Sequence, residues 1–359
     1  MKVRGWKLFL KRVGFVLVGL IVTVVLIEGF TRLFDPLGVS HFLNMARYRG
    51  EFCEVRLDSD RLFVHRTNGE MDLHGWEIRT DSRGFRGPER EMPKPAGTKR
   101  ILFIGDSVTF GWGVNAEDTF VSMIEEEFAV REKGQATNPA NTFRLETVNG
   151  GHLFHDSTQE RGVLEEAGLD YEPDVIVLVF VSNDTHPTAQ MLKPAKQRTV
   201  TLTETDLAEI NSRAAVLENL RTIEEPLPFT HQLLKFMFTL YRNHRFIQRA
   251  ENEGRKPTML DRAGVDTELG WNLAQKAILE MKGMADEIGA RFVVLDISEI
   301  ERLEQFCEQE TLLFGRIQHG ENELTDVRNS RSDPHANRKG HRQYADKILQ
   351  VIDELNLLE

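Results

Sequence analysis

Residues 99–114 read KRILFIGDSVTFGWGV. Two basic residues lead into the apolar run 101–104, rich in β-branched and aromatic side chains, and Gly105-Asp106-Ser107 ends it. A short apolar run closed by glycine predicts a strand buried on both faces. Ser107 then falls at the carboxyl end of that strand, where ligands of open α/β sheets collect. The same letters also suit an ordinary strand–turn with a surface serine, because serine and aspartate are common turn residues. The rest of the chain separates the two readings.

Outward from this stretch, strands and helices alternate. A helix is expected over 117–131, a strand over 144–148 ending at Asn149-Gly150-Gly151, and a helix over 157–167. DVIVLVFV at 174–181 is nearly all apolar and predicts a second fully buried strand. Helices over 271–288, 297–308 and 340–355 and strands at 291–295 and near 311–314 complete the pattern. Such alternation implies a parallel sheet with right-handed crossovers, an α/β fold. Residues 188–255 interrupt it as a mostly helical insertion. Within it FTHQLLKFMFTLYRNHRFIQ places Leu233, Phe236, Leu240, Phe246 and Ile247 at helical spacing. That spacing predicts packing on the domain; a lid and a partner surface are the sharper alternatives.

The chain has 359 residues, 40% hydrophobic and 28% charged, with a net charge of −11. That is the composition of a folded protein. Lys2, Arg4, Lys7, Lys11 and Arg12 make the first twelve residues basic, so the remainder is more acidic than the whole. An acidic body argues against a nucleic-acid partner. Residues 13–30, VGFVLVGLIVTVVLIEGF, carry Glu28 as their single charge and suffice to cross a hydrocarbon core. The basic flank places the N-terminus in the cytoplasm and residues 31–359 outside. No A-x-A-like site follows, so an uncleaved signal anchor is favoured over a cleaved signal peptide. Three segments result: a cytoplasmic tail and transmembrane anchor at 1–30, a membrane-proximal extension and linker at 31–98 that packs on the next domain, and the α/β domain at 99–359. Outside the cytoplasm Cys53 and Cys307 can form a disulfide; two buried thiols are the alternative.

A serine hydroxyl becomes nucleophilic when a base takes its proton and a third group orients that base. SDPHANRKGH at 332–341 offers Asp333 two residues before His335, on a loop just ahead of the last helix. A plain turn explains the same residues, and His341, inside that helix, suits packing. Asn183, after the second buried strand, can donate to a developing oxyanion. The glycines at 150–151 let a backbone N–H approach the same point.

The order GDS, Asn-Gly, Asn-Asp, then Asp-x-His before a final helix resembles the SGNH/GDSL hydrolases over residues 100–355. The resemblance implies a flavodoxin-like three-layer α/β/α sandwich and acyl-ester chemistry without a cofactor. It implies Ser107 as nucleophile, His335 as base and Asp333 as its orienter. Ser107 and Gly151 backbone N–H groups and Asn183 would form the oxyanion hole. The basic anchor and the GFRG turn at 84–87 are similar to bacterial membrane-anchored members, which implies a single pass of the inner membrane and a periplasmic domain. Three departures stand out. Val181 occupies a position usually held by glycine, as does Phe154, and Ser332 stands where the acid usually lies. The expected substrate is an acylated small molecule, lipid or cell-envelope polysaccharide. Esterase or deacetylase action comes first, and O-acyl transfer through the same acyl-enzyme is the alternative. His152, His155 and Asp184 are expected to line the pocket. With Asp156 and His186, the same residues suggest a rival, a metal-dependent phosphoesterase. A non-catalytic carbohydrate-binding relative is a further alternative.

Overall fold

The computed structural model describes residues 2–56, 58–134, 143–185, 229–230, 232–234, 237, 241, 268–298, 300–317 and 326–359. Most of the expected insertion at 188–255 therefore lies outside the described residues, as do Phe236, Leu240, Phe246, Ile247 and His186.

Five strands, β5 (Thr98–Gly105), β6 (Arg144–Gly151), β7 (Val175–Phe180), β8 (Arg291–Asp296) and β9 (Leu313–Arg316), form one parallel sheet in the order β6-β5-β7-β8-β9. Counted from β5 this is 2-1-3-4-5, the flavodoxin-like order, whose switch point lies between the first and third strands. Alternation along each strand sends side chains to opposite layers. Leu102, Ile104, Ile176, Leu178, Phe180, Phe292 and Val294 pack beneath α5 (Ser157–Val163), α6 (Glu268–Glu287) and α7 (Glu301–Gln309). Ile101, Phe103, Val175, Val177, Val179, Val293 and Leu295 face α4 (Phe120–Gly134) and α8 (Arg338–Glu354). The three-layer sandwich implied by the sequence is thus present.

Boundaries differ from the sequence pattern where tertiary contacts outweigh local signals. The glycine pair does not turn after β6. Gly150 and Gly151 stay in register with Ile104 and Gly105, and a Cβ on Gly151 would lie 2.2 Å from the Phe110 backbone nitrogen. α7 starts four residues later than expected because the Asp296 carboxylate accepts from Ser298 and Ile300 N–H groups and holds the loop open. β9 starts two residues later, after Thr311 turns the chain in a left-handed conformation (φ 57°).

Ahead of the sheet, α1 (Lys2–Phe34) runs unbroken. Its stretch Phe9–Phe34, whose most apolar 18 residues have mean hydropathy 2.5, is long and apolar enough to cross a membrane. Side chains such as Phe15 and Leu17 are exposed, so this is not a core helix. Glu28, its one acid, receives Arg32 Nε at 2.6 Å and Thr230 N–H at 2.7 Å. Then follow α2 (Ser40–Arg47) and two antiparallel hairpins, β1 (Cys53–Arg56) with β2 (Leu62–His65) and β3 (Glu70–Leu73) with β4 (Trp76–Arg79). Their apolar faces, with Tyr48 and Phe52, close on Phe110, Trp112 and Leu153, so the hairpins pack on the carboxyl end of the sheet. Of the insertion residues named from sequence, Leu233 packs beside Phe229 and Val39. Cys53 and Cys307 are free thiols. Cys307 lies on the buried face of α7, and burial pushes both thiols up to about 12. The disulfide reading is therefore set aside in favour of two thiols.

Candidate active site

Ser107 is the first residue of a one-turn helix, α3 (Ser107–Phe110), directly beyond β5. Asp106 caps that turn: its buried carboxylate accepts from Val108 N–H at 2.8 Å and from Asn183 Nδ2 at 2.9 Å. Asn183 follows β7, so the two residues flank the switch point of the sheet. Burial raises the Asp106 carboxyl, against the opposing pull of these donors. Asn183 spends one amide proton on Asp106, which aims its side chain and leaves a second proton to donate.

His335 and Asp333 arrive from the loop before α8. Ser107 Oγ lies 2.8 Å from His335 Nε2, and His335 Nδ1 lies 2.6 Å from Asp333 Oδ1. The serine sits 3.3 Å from Asp106 Oδ2, so its shorter contact is with the histidine. The backbone N–H of His335 also donates to Asp333 Oδ1 at 3.1 Å, fixing the acid on the imidazole side. An ionised carboxylate on Nδ1 favours the tautomer whose Nε2 lone pair faces Ser107. Burial alone would raise the Asp333 carboxyl, yet hydrogen bonds from His335 and His41 outweigh it and hold it well below the usual range. The two-residue spacing from acid to histidine is therefore no obstacle: the loop folds the carboxylate back over its own imidazole.

The loop and helix are braced from outside the sheet. Arg86, from the GFRG turn, is buried and donates to the carbonyls of Phe110 and Gly111 at 2.7 Å, Val114 at 2.5 Å and Glu77 at 3.1 Å. It lies over the Phe110 ring at 4.6 Å. These carbonyls include the unsatisfied C-terminal end of α3, so an arginine from ahead of the sheet holds the serine turn in place. Asn329 donates from Nδ2 to Trp112 carbonyl at 3.0 Å and to Asp333 Oδ2 at 3.2 Å. It fits because Gly113, in a left-handed conformation (φ 91°), has no Cβ; one would lie 1.9 Å from the amide.

Other sequence expectations are revised. The Gly151 N–H donates to Asn149 Oδ1 at 3.0 Å, so it is not turned to an oxyanion. Asn149 in turn donates to the Thr109 carbonyl at 2.9 Å, tying β6 to α3. Phe154, which stands where glycine is expected, adopts a left-handed φ of 64° without being glycine. His152 and His155, 1% exposed, have no surface to offer a substrate. They stack face to face at 4.0 Å, and His152 stacks on His65 at 3.6 Å, beside Tyr48 and Phe63. Burial drives both below the usual imidazole range, so they are neutral packing rings. Asp184 is buried too, accepting from Val181 N–H at 2.8 Å; burial, then the nearby Asp106 charge, raises its carboxyl well above the usual range. Asp156 caps α5 in a reciprocal box with Gln159. The described residues named for a metal rival, His152, His155, Asp156 and Asp184, are thus occupied in turns and packing. Among the described residues, the histidine–carboxylate group that converges within 4.8 Å is His41, Asp333 and His335. His341 is buried, its Nδ1 accepting from Phe120 N–H at 3.2 Å, as its helical position suggests. His41, Asn329 and Trp112 escape sequence reasoning; Trp112 stands in the GDS stretch, but nothing local marks a partner 71 residues away.

No protein-family model and no curated protein sequence matches the chain. Among solved structures it is similar to a lipolytic protein of the G-D-S-L family from Desulfitobacterium hafniense, at 10% identity and TM-score 0.38, covering 70% of this chain and 99% of that one. It is also similar to an acetylxylan esterase from Geobacillus stearothermophilus, at 12% identity and TM-score 0.36, covering 71% and 94%. TesA aligns at 11% identity and TM-score 0.39, covering 72% and 99%. These likenesses are remote, and the chemistry is carried by the distances within the site itself.

Proposed function

We propose that this chain is a serine hydrolase of the SGNH/GDSL type that acts on ester-linked acyl groups through an acyl-enzyme. The supporting observation is the hydrogen-bonded chain Ser107–His335–Asp333 at the switch point of a parallel sheet. In this reading His335 Nε2 takes the Ser107 hydroxyl proton as Oγ attacks the ester carbonyl. Asp333 stabilises the imidazolium that forms. The carbonyl oxygen gains charge against the free Asn183 amide proton and the Ser107 N–H at the start of α3. His335 then gives its proton to the departing alkoxide, which leaves as the alcohol. Water, activated by the same histidine, cleaves the acyl-enzyme to release the acid and restore the serine.

The same acyl-enzyme serves a transferase when a sugar hydroxyl replaces water. An acetylated or acylated cell-envelope carbohydrate or lipid suits a domain carried outside the cytoplasm on a single anchor, the orientation that the basic N-terminal flank favours. The full-length chain in detergent micelles should hydrolyse p-nitrophenyl acetate and react with a fluorophosphonate, while Ser107→Ala should do neither. Fluorophosphonate labelling that persists in Ser107→Ala sinks the nucleophile. Activity removed by a chelator and kept by the substitution would instead support the metal-dependent alternative. Alkaline phosphatase fused after Glu359 should be active in the periplasm; a stable, inactive fusion reverses the orientation.

A further inference from the structure

The acid of the triad is shared. One oxygen of Asp333 faces His335, while Oδ2 lies 3.2 Å from Nδ1 of a second histidine, His41, and 3.2 Å from Asn329 Nδ2. His41 belongs to α2, seven residues past the end of the membrane-length helix, and is buried. Its ring stands edge-on to Trp112 at 6.0 Å, whose indole nitrogen lies 2.9 Å from the same Nδ1, and 5.7 Å from the His335 ring. The segment just before it also grips the catalytic loop: Ser332 donates from its N–H to the Leu37 carbonyl at 3.1 Å and from Oγ to the Gly38 carbonyl at 2.5 Å.

Nδ1 of His41 presents either a proton, which Asp333 Oδ2 can accept, or a lone pair, into which the Trp112 N–H can donate. With the proton present, His41 donates to Asp333, and the carboxylate is met by four donors: two from His335, one from Asn329 and one from His41. With the proton on Nε2, Nδ1 accepts from Trp112 and turns a lone pair toward an anion 3.2 Å away, an arrangement that repels. In the first state the neutral Trp112 N–H gives up its acceptor, but the full charge on Asp333 outweighs that dipole and selects the protonated Nδ1.

Resting on the serine-hydrolase reading above, we propose that His41 is a positioning residue of the triad, a second histidine delivered by the juxtamembrane helix to the far oxygen of Asp333. It orients the carboxylate and moderates how strongly that carboxylate holds the proton on His335. The catalytic acid is then complete only when the segment next to the membrane anchor is docked on the α/β domain.

The test compares His41→Phe, which keeps a ring beside Trp112 but no nitrogen, with His41→Asn, whose amide nitrogen falls near the position of Nδ1. The assay is p-nitrophenyl acetate hydrolysis by full-length protein in micelles, as kcat/KM against pH. The groups facing His335 and Asp333 are His41 on α2, Asp106 before α3 and His341 on α8. Loss of a donor makes Asp333 a stronger base toward His335, so the acid limb should move to higher pH in His41→Phe. The rate should fall about tenfold to a hundredfold, the range of a hydrogen bond to a charged group. His41→Asn should recover most of the rate and the original limb. A uniform loss in both variants with an unmoved limb shows mere packing and overturns the proposal, as does wild-type behaviour of His41→Phe. Should the phenylalanine variant fail to fold, His41→Ala in its place is judged by the same two criteria. Ser107→Ala, run alongside, separates this failure from failure of the hydrolase reading: residual activity there removes the triad itself.

Discussion

Replacing Asp333 by asparagine tests the catalytic chain most directly, because the donors around it determine how an amide must sit. Oδ1 accepts from two groups of His335, Nδ1 at 2.6 Å and the backbone N–H at 3.1 Å. That side can tolerate only an acceptor, so the amide oxygen of Asp333→Asn belongs there and its NH2 replaces Oδ2. Asn329 and His41 then meet a donor where they met an anion. Asn329 is committed to the Trp112 carbonyl, while His41 can shift its proton and accept. The tautomer of His335 is thus preserved, and what disappears is the charge. A carboxylate about 4 Å from the imidazolium centre contributes roughly 4 kcal/mol at an effective dielectric of about 20, about a thousandfold in rate. Acylation by p-nitrophenyl acetate should therefore slow by about a thousandfold in kcat/KM, short of the ~10⁴ typical when the wrong tautomer is imposed. Fluorophosphonate labelling of the same samples should slow in parallel while the melting temperature changes little. A folded Asp333→Asn protein with wild-type kcat/KM would refute Asp333 as the orienting acid.

Asn183→Ala removes the free amide proton and should lower kcat about 10²–10³-fold with KM little changed; a rise in KM alone would make Asn183 a ground-state contact. Arg86→Met leaves the carbonyls of Phe110, Gly111 and Val114 without their donor and should destabilise the protein by roughly 3 kcal/mol or more, visible as a lower urea midpoint; an unchanged midpoint removes its bracing role. Four histidines, His65, His152, His155 and His341, are buried and driven below the normal imidazole range by that burial, His65 and His341 to about 3. Below about 6.5 the unfolded chain binds protons these sites refuse, so these four rings contribute a progressive loss of stability as pH falls from 6.5 toward 3, opposed by the buried Asp106, Asp184 and Glu160 carboxyls that burial raises. At pH 5 the loss is roughly 2 kcal/mol for each of His65 and His341. The check is the imidazole proton NMR of the folded protein: a His65 or His341 ring that titrates above pH 5 contradicts the neutral state.

Much of the sheet is legible in the sequence because its strands are buried on both faces. ILFI at 101–104 and VIVLVF at 175–180 can be nothing but central parallel strands once helices alternate with them, and both lie where the pattern puts them. The serine, the histidine and the asparagine are legible for a related reason: each directly follows a strand or precedes a helix, so topology alone carries it to one edge. The expected Gly151 donor misleads because Gly150-Gly151 carries a turn signal locally, while β5 offers a full partner ladder and α3 demands a position without Cβ. His152 and His155 mislead because a polar letter beside a strand end suggests a solvated loop. Their rings are instead roofed by Tyr48 and Phe63, from a segment that no periodicity in 31–98 announces.

The residues that local sequence does not reveal share one property: their partners are far away in the chain. His41 meets Asp333 across 292 positions and Arg86 meets Val114 across 28. Neither contact has a spacing, because each is made by an element that docks on the finished sheet and takes no part in building it. The core of the fold is therefore encoded in local apolar runs, whereas the bracing of its active edge is encoded in the shape of that edge. This explains why the GFRG turn looks like punctuation in the sequence. Among the described residues its arginine has no carboxylate in an ion pair with it; it is stabilised by four carbonyl oxygens that exist as a cluster only after α3 and the β4 region have come together. Burial pushes this guanidinium down to about 9, still well above neutral pH, so the charge persists and the carbonyl dipoles have to hold it. A cation balanced by dipoles leaves no acidic partner in the sequence to find.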